Sequence, residues 1–146
     1  MRGFSGIVAV ALLAGCQQQA AETKVERAWV RLPAVADRPG AAYFTVLGGS
    51  KGDTLLQVST PAAVRAELHE TVDHAGMKSM QPVRDVAVPA GGTLAFAPGG
   101  KHVMLFDLGP AVKAGDAVPL ALTFASGRKV EVQAKVVGPG DPAPAE

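Results

Sequence analysis

Six imidazole and thioether side chains fall in one window of this sequence. The histidines are His69, His74 and His102, and apart from Met1 the methionines are Met77, Met80 and Met104. All six lie between His69 and Met104, with no cysteine among them. Imidazole nitrogen with thioether sulfur, and no thiolate, is a donor set for a soft monovalent ion, above all Cu(I), with Ag(I) as its chemical mimic. Ca²⁺ and Mg²⁺ take oxygen ligands. Zn²⁺ is bound by thiolate, imidazole or carboxylate rather than thioether. A blue-copper electron-transfer centre needs a cysteine sulfur, which the window lacks.

His102 and Met104 are separated by one residue, so on a strand both project from one face and can converge on one ion. His69 and Met80 would have to come from a neighbouring strand and its loop, completing a neutral set of two imidazoles and two thioethers. Methionine is also ordinary core filler. Phe106 and Leu108 share the His102/Met104 face, so spacing alone leaves a packing role for Met104 open. His74 and Met77 lie between His69 and Met80, either as exposed loop residues or as accessory ligands that help capture or release the ion. Trp29 reads as a core plug. Glu67, Glu70 and Asp73 could attract a cation at long range, or are simply solvated charges. Paired carboxylates, an activated serine and a phosphate-cradling loop are all missing from the sequence, which argues for a carrier rather than an enzyme.

The elements that must position these residues are short. Strands are expected at Lys24–Leu32, Ala41–Leu47, Thr54–Thr60, Val64–Thr71, Val83–Val88, Thr93–Ala97, His102–Leu108, Ala117–Ala125 and Lys129–Val137, punctuated by Gly and Pro turns. In Val64–Thr71, alternation puts Val64, Ala66 and Leu68 on one face and Arg65, Glu67 and His69 on the other, which turns His69 toward solvent or a shallow site. Val72–Pro82 reads as a loop or irregular hairpin bearing Met77 and Met80. Nine short strands with turn signals between them indicate an all-β Greek-key sandwich or barrel.

A chain of 146 residues with 48% hydrophobic and 18% charged residues suits one compact domain. The ends stand apart from it. Residues 1–15 carry one cation, Arg2, before an apolar run too short to span a bilayer, a signal-peptide pattern. Leu13-Ala14-Gly15-Cys16 resembles the lipoprotein cleavage box, which makes Cys16 a lipidated first residue and residues 16–23 a tether. Several acyl chains there would anchor the protein stably. Gln17 stands where an Asp would suggest inner-membrane retention, which leaves outer-membrane sorting open. With Cys16 at the terminus, the folded body (24–137) has no thiol for a disulfide or a zinc-thiolate site. Residues 138–146, GPGDPAPAE, read as a disordered tail. Losing Arg2 with the leader leaves 13 cations against 13 acids. No basic run is interleaved with aromatics, so nucleic acid is not an expected partner.

His69, ten residues, Met80, twenty-one residues, His102, one residue, Met104 is the spacing of the periplasmic copper chaperones called PCu(A)C, which this chain resembles. The surrounding segments agree: AELHE around His69, VPAGGT from Val88 to Thr93, PGGKHVML from Pro98 to Leu105, and the upstream AW-R and AAYFTV. The resemblance runs from about Val25 to Val137. It implies a cupredoxin-like Greek-key fold holding one Cu(I) per chain at His69, Met80, His102 and Met104. It further implies delivery to the binuclear CuA centre of cytochrome c oxidase subunit II, directly or with a Sco-type thiol protein. The alternative is a lipoprotein that sequesters copper or silver for tolerance, with no dedicated acceptor. Gly48-Gly49 replaces an Asn of many relatives, which touches only a turn contact. The His/Met-rich C-terminal extension of some relatives is missing, so no second site is expected. Imidazole must be deprotonated to bind a metal, so affinity should fall as pH drops below about 6.

Overall fold

The structure, a computed structural model, describes residues 20–145. The proposed leader and Cys16 lie outside the described residues. Within them the chain forms ten strands and no helix: β1 Lys24–Arg31, β2 Gly40–Leu47, β3 Asp53–Ser59, β4 Ala63–His74, β5 Met77–Pro82, β6 Val86–Val88, β7 Thr93–Phe96, β8 Lys101–Leu108, β9 Ala117–Phe124 and β10 Lys129–Val137. The tenth, beyond the nine expected, is β5, from the stretch read as a loop or irregular hairpin.

Hydrogen-bonded neighbours run β5-β4-β8-β2-β1-β10-β9-β3-β6, with β7 paired to β2. β2 serves two partners: Gly40 to Ala42 pair with β8, and Phe44 to Leu47 pair with β7. Parallel pairing of β1 with β10 joins the two ends of the body. The result is an open β-sandwich, the all-β class expected from the sequence.

Period-two alternation builds the core. On β9, Val118, Leu120, Leu122 and Phe124 are buried while the residues between them are not. On β2, Ala42, Phe44 and Val46 turn inward, and on β8 so do Val103 and Leu105. These side chains, with Val30 and Leu55, join one apolar cluster, and the Phe44 and Phe96 rings stack at 4.5 Å. Neither His102 nor Met104 belongs to that cluster. They occupy the alternate positions of β8 and so face outward.

Trp29 is buried but also lies outside the main cluster. It packs on Tyr43 at 4.5 Å with the Arg31 guanidinium over its ring, and with Ala143 to Ala145 it lines a cavity of about 570 Å³. The segment after Val137 makes contacts of its own: Arg31 Nη2 donates to the Asp141 carbonyl at 3.1 Å. At the other end, Arg128 bonds Glu22 and the Thr23 carbonyl.

Candidate metal centre

The outer face of the β5-β4-β8 ribbon carries the chemistry. Antiparallel pairing puts His69 directly opposite His102, Glu67 opposite Met104, and Thr71 opposite Met80. Residues two apart on a strand share a face, and paired residues share it across strands. His69, Met80, His102 and Met104 therefore meet on one side of three adjacent strands. Met80, His102 and Met104 line a cavity of about 160 Å³ together with Ala41, Tyr43 and Thr71. His69 stands beside His102 rather than in the cavity wall, their ring centroids 5.9 Å apart. Two imidazoles bound to one ion at about 2 Å would sit at about that separation.

Local sequence explains the placement. Ala75 and Gly76, both with positive φ (55° and 84°), make a two-residue turn that closes the β4–β5 hairpin. The Gly76 N–H is capped by Asp73 Oδ1 at 2.8 Å. That turn sets the register delivering Met80 beside Thr71. Across the ribbon, the Gly100 carbonyl accepts from Thr71 N–H (3.2 Å) and lies 3.0 Å from His102 Nδ1. The glycine turn before β8 thus pins both the neighbouring strand and the ring.

Hydrogen-bond roles fix the two rings. A carbonyl can only accept, so His102 donates from Nδ1 to Gly100, and its lone pair lies on Nε2. His69 Nε2 is 3.1 Å from Glu67 Oε2. An ionised carboxylate likewise only accepts, so the His69 lone pair lies on Nδ1. His69 is 9% exposed and His102 5%. His69 Nδ1 and His102 Nε2, the two lone-pair nitrogens, are buried without a hydrogen-bond partner. Leaving a buried polar atom unpaired costs roughly 1–3 kcal/mol, and two such atoms on facing rings are the donors a metal ion would use.

The thioethers differ from each other. Met104 is half-buried, whereas Met80 on edge strand β5 is 63% exposed. Among the described residues no three His, Cys, Asp or Glu side chains gather as a metal site. Met80 and Met104, which line one cavity with His102, are the soft donors on the same face as these imidazoles. The Tyr43 phenol in the cavity wall is pushed above its usual pKa by burial, partly opposed by the Arg31 charge, so it stays neutral.

His74 and Met77 face each other at the closed end of the hairpin, in the alternate register from Thr71 and Met80. That parity turns them to the opposite face from the other four residues. Met77 is 77% exposed. His69 shares the Glu67 face as alternation predicts, yet it is buried rather than turned to solvent, because β8 lays His102 alongside it. Val64, grouped by alternation with Ala66 and Leu68, is 82% exposed near the start of β4. Glu67, expected at most to attract a cation at long range, touches the site directly, and Tyr43 joins the cavity wall with no signal in the sequence to mark it. Glu67 stands two residues before His69 on the same face, and that spacing was the available signal.

Residues 23–136 match a family model described as "Putative lipoprotein LpqE-like". The chain belongs to this LpqE-like family. It is 35% identical over 112 residues to "Putative lipoprotein Lxx21020" of Leifsonia xyli subsp. xyli, covering 75% of this chain and 66% of that protein. It is 29% identical over 98 residues to "Uncharacterized protein RP573" of Rickettsia prowazekii, covering 66% and 54%. This LpqE-like chain thus spans just under two thirds of one curated relative and about half of the other. Among solved structures, the Cu(I) form of DR1885 from Deinococcus radiodurans is 31% identical, with TM-score 0.63 over 85% of this chain and 83% of that one. Its apo form is 30% identical, with TM-score 0.59 over 94% of each chain. The copper-bound PCuAC domain from PmoF2, at 24% identity, shares the fold with TM-score 0.67 over 83% and 97%. The resemblance to PCu(A)C proteins drawn from the sequence holds for family and fold.

Proposed function

We propose that this LpqE-like protein is a Cu(I) carrier that holds one ion through His69, Met80, His102 and Met104. The observation that carries this reading is the facing pair of buried histidines, each anchored through one nitrogen with the other unpartnered. Two thioethers stand on the same face. The likeness to a Cu(I)-bound DR1885 structure at 31% identity supports the choice of metal.

Neutral imidazole and thioether donors favour Cu(I) and persist in an oxidising compartment where exposed thiols would pair. Exposed Met80, on the outermost strand, is the ligand an incoming thiolate can displace first. Release by ligand exchange follows, with the CuA centre of cytochrome c oxidase subunit II or a Sco-type thiol protein as acceptor. Lipidation at Cys16 would hold the carrier at the membrane on the periplasmic side, in keeping with the lipoprotein names of the family and of the Leifsonia relative.

Anaerobic Cu(I) loading with metal counting and X-ray absorption tests the site. One copper per chain with nitrogen and sulfur neighbours is expected. In competition titrations Met104→Ala and His102→Ala should lower affinity more than Met77→Ala. The reverse order would show that the wrong sulfur has been assigned. A deletion strain that loses oxidase activity under copper limitation supports delivery, whereas metal sensitivity alone points to sequestration.

A further inference from the structure

His69 is held from behind by a row of side chains. Glu67 accepts from its Nε2 through Oε2 at 3.1 Å, and the other carboxylate oxygen, Oε1, lies 3.3 Å from Arg65 Nε. The Arg65 guanidinium in turn sits 4.2 Å over the ring of Phe106. Arg65, Glu67 and His69 alternate along one face of β4, and Phe106 is the β8 residue directly opposite Arg65. The row therefore runs along the outer face and ends at the metal-facing ring.

We propose that Glu67 is the positioning residue for His69: it fixes the Nε2–H tautomer and directs Nδ1 to the ion, with Arg65 clamped on Phe106 holding Glu67 in place. This rests on the reading of His69 as a Cu(I) ligand. As a stability device the Arg65–Glu67 pair would contribute little, since the side chains are 60% and 37% exposed. Its effect is to remove rotamer freedom from the carboxylate. Carboxylates behind a metal-binding imidazole set the tautomer and raise the basicity of the ligating nitrogen. His102 gets the same service from a backbone carbonyl, Gly100, which no side-chain substitution removes. It is thus a built-in control.

The test compares wild type, Glu67→Ala, Glu67→Gln, Arg65→Ala and His69→Ala. Long-range ¹H–¹⁵N spectra of the imidazoles in the metal-free proteins give the tautomers, and Cu(I) competition titrations give affinity. Wild-type His69 should be the Nε2–H tautomer. Glu67→Ala should mix the His69 tautomers while His102 stays Nδ1–H, and should lower Cu(I) affinity about 10–100-fold. Glu67→Gln, whose amide oxygen still accepts, should keep the tautomer, and Arg65→Ala should fall between. An unchanged His69 tautomer in Glu67→Ala, with His69→Ala still weakening copper binding, overturns the positioning role alone. Full Cu(I) affinity in His69→Ala overturns it together with the ligand assignment.

Discussion

Replacing His102 with leucine separates what the ring does for the fold from what it does for the metal. In the metal-free protein His102 is 5% exposed, donates one hydrogen bond from Nδ1 to the Gly100 carbonyl at 3.0 Å, and buries Nε2 unpaired. Leucine forfeits the hydrogen bond, a net loss of about 1 kcal/mol, and removes the orphaned nitrogen, a gain of roughly 1–3 kcal/mol. The balance runs from zero to a gain of about 2 kcal/mol, so the metal-free variant should be at least as stable as wild type. Truncating an ordinary buried side chain would cost about 2–5 kcal/mol. Metal loading should separate the two proteins. An ion at a thousand times its dissociation constant stabilises the wild type by about 4 kcal/mol, or roughly 10–20 °C in Tm for a body of this size. His102→Leu should lose most of that gain. Calorimetry with Ag(I), which avoids oxidation, reads both quantities. A metal-free loss above about 3 kcal/mol would refute the reading of Nε2 as an unpaired buried nitrogen, and an undiminished Ag(I) shift would refute the assignment of His102 as a ligand.

Two further predictions concern the scaffold. A Cβ on Gly48 would lie 2.0 Å from the Pro89 carbonyl oxygen. Backbone cannot yield as a side chain tip can, so Gly48→Ala should cost about 1–3 kcal/mol, and an unchanged urea midpoint would count against the close approach. Asp53 accepts from Thr54 N–H, Ser126 N–H and the Ser126 hydroxyl. Burial pushes its pKa up, but the Ser126 and Thr54 hydrogen bonds and the Arg128 charge outweigh this, leaving it below the usual carboxylate value. A lowered folded-state pKa means that the contribution to stability is present above the unfolded-state value and lost as pH falls through the folded-state one. Asp53→Asn should therefore flatten the acid limb of the stability–pH curve, and an unaltered limb would show that these contacts are weak.

Much of the site was legible in one dimension. Side-chain alternation along a strand is a local rule, so His102 and Met104 could be put on one face, and outside the Val103/Leu105 core, from their spacing. The same rule separates His69 from Leu68. Turn residues marked the strand ends, Gly76 before β5 included, but MKSMQP offers no β-branched residue and no apolar alternation to mark it as a strand. What held that segment as a strand was its pairing with β4 across the Ala75-Gly76 turn.

Long-range register decided the rest. The sequence specified which donors exist, that they are soft and uncharged, and which pairs share a strand face. Only the tertiary structure set His69 against His102, buried both rings, turned His74 and Met77 to the other side of the hairpin, and placed Glu67 and Gly100 so that one nitrogen of each ring is committed and the other left with its lone pair. The physical reason is that burial and hydrogen-bond partners belong to pairs of strands rather than to either strand alone: a shift of one residue between β4 and β8 would send the same side chains to different neighbours.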